Sequence, residues 1–133
     1  MNALNGIFVN KIDYQEEKIY DIDPKSYVKV RFDSWVVKIY SSGDKWIDLH
    51  FKVMEGKFKG EEVCYECHLS LTNFKHLPSD LFFAINYLLK RNVKVGEIIN
   101  LRDLLKKWCK AKIFNFPVKK NLTLPYILHV LPL

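Results

Sequence analysis

The segment Cys64-x-x-Cys67-His68 is a pattern whose residue types could do chemistry. Thiols and imidazoles are zinc ligands, but a zinc cage needs donors that converge in a tetrahedron. The surrounding residues alternate in polarity: Val63, Tyr65, Cys67 and Leu69 against Cys64, Glu66, His68 and Ser70. That is the pattern of a half-buried strand. On a strand Cys64 and Cys67 leave on opposite faces, so the spacing works against a shared metal. Cys109 or His50 would complete a site only by coincidence, and no metal ligand set is assigned. A nucleophilic cysteine beside His68 lacks an orienting third residue. The chain has no glycine-rich phosphate loop, paired-carboxylate pattern or His-x-x-x-His pair. The scattered His50, His68, His76 and His129 read as surface or hydrogen-bonded residues. The expectation is a non-enzyme without a cofactor.

Cations and aromatic rings offer a second chemistry. The net charge of +6 is unevenly placed: residues 1–100 hold 14 Lys+Arg and 14 Asp+Glu. The excess comes from Arg102, Lys106, Lys107, Lys110, Lys112, Lys119 and Lys120, opposed only by Asp103. Such asymmetry points to a polyanion partner, with a solvated basic surface as the plain alternative.

The elements that must hold these residues are mostly strands. Trp46 to Ser70 reads as a hairpin with glycines at Gly56 and Gly60. If Val53 faces Val63, then Phe51 meets Tyr65, Leu49 meets Cys67 and Ile47 meets Leu69, all on one face. Outside, His50 then faces Glu66 and Asp48 faces His68. Tyr27 to Tyr40 is a long strand in which Val28, Val30 and Phe32 share a face that Trp35, Val37 and Ile39 continue with switched parity. The switch predicts a β-bulge near Asp33-Ser34. After the turn Ser41-Ser42-Gly43-Asp44, pairing Tyr40 with Trp46 sets Lys38 opposite Asp48 and Val37 opposite Leu49.

A connector, Leu71 to Leu77, leads to a helix capped by Ser79, with an apolar stripe of Leu81, Ile85, Leu88 and Leu89, ending near Lys90-Arg91-Asn92. Gly96 breaks the chain, and a further turn of helix falls within Asn100–Leu105. Lys107 to Phe116 is a fourth strand, with Cys109, Ala111 and Ile113 inward. Pro117 to Thr123 is a loop. Tyr126 to Leu131 is the last strand, with Tyr126, Leu128 and Val130 inward and Ile127 and His129 outward. In residues 1–25, Gly6-Ile7-Phe8-Val9 is a candidate strand and Asp21-Ile22-Asp23-Pro24 a turn.

The predicted fold is therefore mainly β: a five-stranded OB-fold barrel over residues 26–133, one helix between strands three and four, and an amino-terminal extension of residues 1–25. A chain of 133 residues suits one domain and needs no disulfide or metal to fold. No apolar run is long enough to span a bilayer, no signal peptide is evident at the amino terminus, and the three cysteines are an odd number. These features lead to an expected cytoplasmic location, in a bacterial or archaeal cell, with no membrane partner.

In OB-folds the outer face of strands two and three, with the first-to-second and fourth-to-fifth loops, forms the ligand groove. Single-strand binders line such grooves with cations for phosphates and rings for bases. The candidates are Lys38, Trp46, His50, Lys52, Lys110, Lys112, Phe114, Lys119 and Lys120, with Lys29 and Arg31 beside Tyr27 as a second set. Each has a duller role open to it. Trp46 could cover the extension, Trp35 belongs in the core, Trp108 suits either side, and Phe114 and Phe116 could meet residues 1–25 or a second subunit.

The segment Val53-Met54-Glu55-Gly56-Lys57-Phe58-Lys59-Gly60-Glu61-Glu62-Val63 resembles the second hairpin of small phage-type single-stranded-DNA-binding proteins. Its exit, Leu69-Ser70-Leu71-Thr72-Asn73, and the later Leu104-Leu105-Lys106-Lys107-Trp108-Cys109-Lys110-Ala111-Lys112-Ile113 extend the likeness over residues 26–131. The resemblance implies sequence-nonspecific binding of single-stranded DNA in phage or mobile-element replication or recombination. A homo-oligomer is a candidate assembly, since one small barrel covers few nucleotides, and replication proteins are candidate partners. In place of the acidic recruiting tail of many such proteins, this sequence closes with His129-Val130-Leu131-Pro132-Leu133. A protein-interaction module and an RNA-binding OB-fold protein are the alternatives.

Overall fold

A computed structural model of the chain describes residues 6–9, 26–72, 77–120 and 122–133. The predicted turn at Asp21–Pro24 and residues 73–76 of the connector lie outside them. The described elements are β1 (Gly6–Phe8), β2 (Tyr27–Ile39), β3 (Lys45–Val53), β4 (Glu62–His68), α1 (Asp80–Leu89), β5 (Ile98–Asn100), a 3-10 turn at Leu101–Leu104 where the sequence predicts one turn of helix, β6 (Trp108–Lys119) and β7 (Leu122–Leu131). Five strands close a barrel in the order β2-β3-β4-β7-β6. All its pairings are antiparallel except β4 with β7, which meet in parallel at Cys64 and Tyr126. The fold is thus mainly β, a closed five-stranded mixed barrel with one helix, and is consistent with an OB-fold.

Alternation sets which side chains fill the barrel. Val30, Phe32, Trp35, Ile47, Leu49, Phe51, Val63, Tyr65 and Cys67 are all buried, as their parity predicts. Phe32 and Phe51 are partners across β2 and β3, with ring centroids 5.5 Å apart. The predicted bulge is present: Phe32 pairs with Phe51 and Ser34 with His50, leaving Asp33 as the extra residue. It lets β2 serve β6 with its first half and β3 along most of its length. Ile39 does not continue the inward row and is 67% exposed at the strand's end.

Both hairpins are tighter than predicted, and each register differs by two residues. Val53 accepts from Gly60 N–H at 2.8 Å and donates to Glu61 O at 2.9 Å, so it faces Glu61 rather than Val63. Phe51 then meets Val63, Leu49 meets Tyr65 and Ile47 meets Cys67. Gly56 and Gly60 hold φ of +80° and +90°. Glycine enters that region without a Cβ penalty, and the two tight bends shorten the connection. Likewise Tyr40 N–H donates to Asp44 O and Gly43 N–H to Tyr40 O, so Lys38 rather than Tyr40 faces Trp46. A slip of two leaves every side chain on its predicted face but changes its partner. Outside, Trp46 now faces His68, Asp48 faces Glu66 and His50 faces Cys64.

Helix α1 begins as expected: Ser79 Oγ accepts from Phe82 N–H at 3.3 Å. Leu81, Phe82, Ala84, Ile85 and Leu88 are buried. The helix packs against β4, β6 and β7. It closes with Lys90 in the left-handed region. The candidate strand at Gly6–Val9 is present as β1, paired with β5, a strand the sequence pattern did not indicate. Val9, fully buried, and Ile99 join the main core.

At the carboxyl end the predicted loop 117–123 is shorter, with strand reaching into it from both sides. β6 runs to Lys119, which pairs with Leu122. The inward set of β7 also changes: Ile127 and Val130 are buried, and Leu128 is 45% exposed. The ladder steps from Lys112–His129 to Ile113–Ile127, so Leu128 is an extra residue that switches parity.

Candidate nucleic-acid interface

The barrel divides the predicted cations and rings between two outer faces and a hairpin tip. The first face spans the start of β2, the start of β6 and the end of β7. Arg31 pairs with Trp108, Lys29 with Lys110 and Tyr27 with Lys112. On the flanks Lys52 pairs with Arg31, and His129 with Lys112. All carry their side chains outward, because Val28, Val30, Cys109 and Ala111 between them point in.

Two carboxylates reach the edges of this face. Asp33, raised by the bulge, accepts from Arg31 Nε at 2.7 Å and Nη2 at 3.1 Å. It also accepts from Lys106 Nζ at 3.4 Å. These cations, Arg31 first, hold its carboxyl below the ordinary aspartate range. Glu55 Oε1 accepts from the backbone N–H of Lys29 at 2.9 Å. Among the described residues, Lys29, Lys52, Lys110 and Lys112 are in no ion pair. Lys29 and Lys110 stand directly opposite one another, a like-charge pairing that costs stability unless an anion lies between them.

Between the start of β2 and the β3–β4 turn is a cleft of about 320 Å³ whose walls include Val28, Glu55, Gly56, Phe58 and Ile113. Lys57 Nζ sits 5.0 Å from the centroid of the Phe58 ring. This recess, walled by apolar side chains together with Ser26, Glu55 and Lys57, was missed as a site in the sequence, although the Glu55-Gly56-Lys57-Phe58 turn carried most of its residues.

The second face, on β3, β4 and the far half of β2, holds Lys38, Trp46 and His50 in a different setting. Lys38 Nζ lies 2.6 Å from Asp48 Oδ2 and 3.9 Å from Glu66 Oε2. The hydrogen bond to Asp48 pushes the lysine's pKa above its ordinary value. The pairing predicted for Lys38 and Asp48 thus occurs, but along a diagonal of the ladder. Trp46 is covered on one side by His68, with ring centroids 3.7 Å apart. His50 Nδ1 lies 4.0 Å from Glu62 Oε1. Around Trp46 two carboxylates, Asp48 and Glu66, meet one ammonium, Lys38, and make this end of the face acidic; Glu62, farther along, stands opposite Lys52.

The third group is the end of the β6–β7 hairpin. Pairing of β2 with β6 stops at Lys112, and β4 meets β7 only at Tyr126. Beyond those points the ladders pair these two strands with each other alone among the described residues, and exposed Lys119 and Lys120 lie at the far end of this hairpin. Phe114 sits at the base of this ribbon, half-buried opposite Tyr126.

The structure therefore gathers Lys29, Arg31, Lys52, Lys110 and Lys112 on one face, sets Lys38, Trp46 and His50 on another, and leaves Lys119 and Lys120 at the end of the β6–β7 hairpin. Trp108 and Tyr27 are the rings placed among the cations. As for the thiols, burial pushes Cys64 and Cys109 up to about 12 and raises Cys67 as well. None presents a thiolate near neutral pH. No protein-family model matches the chain, and no curated protein matches it.

Proposed function

We propose that this chain binds single-stranded nucleic acid, DNA in the first instance, through the face shared by β2 and β6. The observation that carries this reading is the unneutralised row of Lys29, Lys110, Lys112 and Lys52 flanked by Tyr27 and Trp108. Phosphates would relieve the opposed lysines, and bases would stack on the rings or enter the cleft beside Phe58. The end of the β6–β7 hairpin, with Lys119 and Lys120, would add cations for further phosphates. Recognition of phosphate and ring faces is indifferent to base identity, so the binding is sequence-nonspecific. The five-stranded barrel is assigned to the OB-fold, with residues 1–25 as an extension. The likeness of residues 53–63 to phage-type single-strand binders supports a role in phage or mobile-element replication or recombination.

The test is fluorescence anisotropy of a labelled thymine oligonucleotide at low and moderate salt, with duplex DNA and the matching RNA as competitors. Tight binding that falls steeply with salt and resists duplex supports the reading. Displacement by RNA at equal concentration turns it to RNA, and no binding at low salt overturns it.

A second reading, a protein-interaction module, is favoured by one observation. Phe8 and Ile98 face each other across β1 and β5 with 55% and 73% of their surface exposed. Association through that apolar pair would survive moderate salt.

A further inference from the structure

We propose that Asp48, His50 and Cys64 form a site for one zinc-type divalent metal ion on the outer face of β3 and β4. His50 and Cys64 are direct cross-strand partners, and Asp48 stands two residues before His50 on the same face. One donor atom from each lies within 4.8 Å of the other two. A tetrahedral zinc shell, with bonds of roughly 2.0–2.3 Å, sets its donors about 3.5 Å apart. Closing the difference falls to the side-chain torsions of His50 and Cys64, both only partly buried.

Asp48 supplies an independent observation. Its residue is 5% exposed, Oδ2 is held by Lys38, and Oδ1 is buried without a hydrogen-bond partner among the described residues. A buried acceptor left in that state is costly, and a cation satisfies it. The surrounding charge points the same way. Asp48, Glu62 and Glu66 outnumber Lys38 and Lys52, which is opposite Glu62, and the Cys64 thiolate adds one more negative charge, so a divalent ion brings the cluster close to neutrality. Sulfur, imidazole nitrogen and one carboxylate oxygen form a donor set that suits zinc or cobalt over magnesium or calcium. On binding, the Cys64 thiol gives its proton to solvent as the metal–sulfur bond forms. Water or Glu62 takes the fourth position. Cys67, buried on the inner face, has no part in it.

The site exists because of the register. With the looser hairpin expected from the sequence, His50 would face Glu66, and Cys64 would have no imidazole opposite it. The inference is independent of nucleic-acid binding, since it concerns a different face and is read without DNA.

The experiment is a titration of the reduced full chain with Co²⁺ alone, followed by absorption, then displacement by Zn²⁺. The expected result is saturation at one ion per chain with a thiolate-to-cobalt charge-transfer band. Cys64→Ser abolishes the band, and Cys109→Ala keeps it. His50→Ala, at a half-exposed position that tolerates truncation, weakens binding at least about tenfold. Absence of the band overturns the proposal. So does a folded His50→Ala protein, checked by circular dichroism, that binds cobalt as tightly as the parent.

Discussion

The outer faces of β2–β6 and of β3–β4 are built from the same kind of sequence, strands that alternate apolar with polar and carry a lysine or a tryptophan outward. They end with opposite electrostatic characters. On β2–β6 each cation faces another cation or an aromatic ring: Lys29 against Lys110, Arg31 against Trp108, Lys112 against Tyr27. On β3–β4 the lysine has two carboxylates within 4 Å, and the tryptophan is already stacked on a histidine. A residue's type therefore does not decide whether it is available to a ligand; its neighbour on the next strand does. Lys38 is spent on holding Asp48, whereas Lys29 and Lys110 repel each other and stand ready for an anion.

That contrast is broken most directly by removing charge from one face at a time. Lys29→Ala/Lys110→Ala/Lys112→Ala should lower affinity for single-stranded DNA by about 100-fold at low salt. It should also reduce the slope of log affinity against log salt by about 2, taking roughly 0.7 per lost phosphate contact. Lys38→Ala should leave both within about twofold in the same anisotropy assay. Equal losses from the two variants would erase the distinction between the faces. The rings offer a smaller version of the same comparison. Trp108→Ala should cost about 1–3 kcal/mol of binding, the worth of one stacked base. Trp46→Ala, whose ring is half covered by His68, should cost less than about 0.5 kcal/mol on the same scale. Quenching of Trp46 rather than Trp108 by oligonucleotide, read in single-tryptophan variants, would reverse the assignment.

The faces were legible in the sequence; the neighbours were not. Period-two alternation placed Ile47, Leu49, Phe51 and Val53 inward because a one-residue error would have turned all of them to solvent. The same physics makes a two-residue slip invisible, and that slip decides whether His50 meets Glu66 or Cys64. The bulge at Asp33 was readable because it switches parity within a run of large apolar residues. The one at Leu128 was not, since Ile127, Leu128 and Val130 fit either inward set. β5 has only three residues, too few to show a period, and its partner β1 lies some 90 positions away. The basic face depends on pairing Lys29 with Lys110, a contact that no local pattern encodes.

The faces should also differ in what their charges do for stability. Lys38→Met leaves the Asp48 carboxylate buried without its ammonium and should destabilise the fold by about 1–3 kcal/mol in urea unfolding. Lys110→Met removes a like-charge pairing and should be neutral or stabilising by up to about 1 kcal/mol. A destabilisation by Lys110→Met equal to that of Lys38→Met would mean that the basic row is structurally paired after all.

The smallest effect concerns Asp33, which edges the basic face. Its hydrogen bonds from Arg31, with Lys106 adding to them, hold its folded pKa below the unfolded value. A carboxyl depressed by folding contributes stability above its unfolded pKa, near 4, and loses that contribution as pH falls through the lower folded value. Asp33→Asn should therefore remove part of the acid-limb loss of stability. Between about pH 5 and pH 2 the parent should lose up to about 1 kcal/mol more than the variant, the scale of a partly exposed ion pair. Parallel urea curves for the two proteins across that range would show that the Asp33–Arg31 pair is not held in solution. Arg31 would then be as free as Lys29 to meet a phosphate, and Asp33→Asn would leave DNA affinity unchanged instead of raising it.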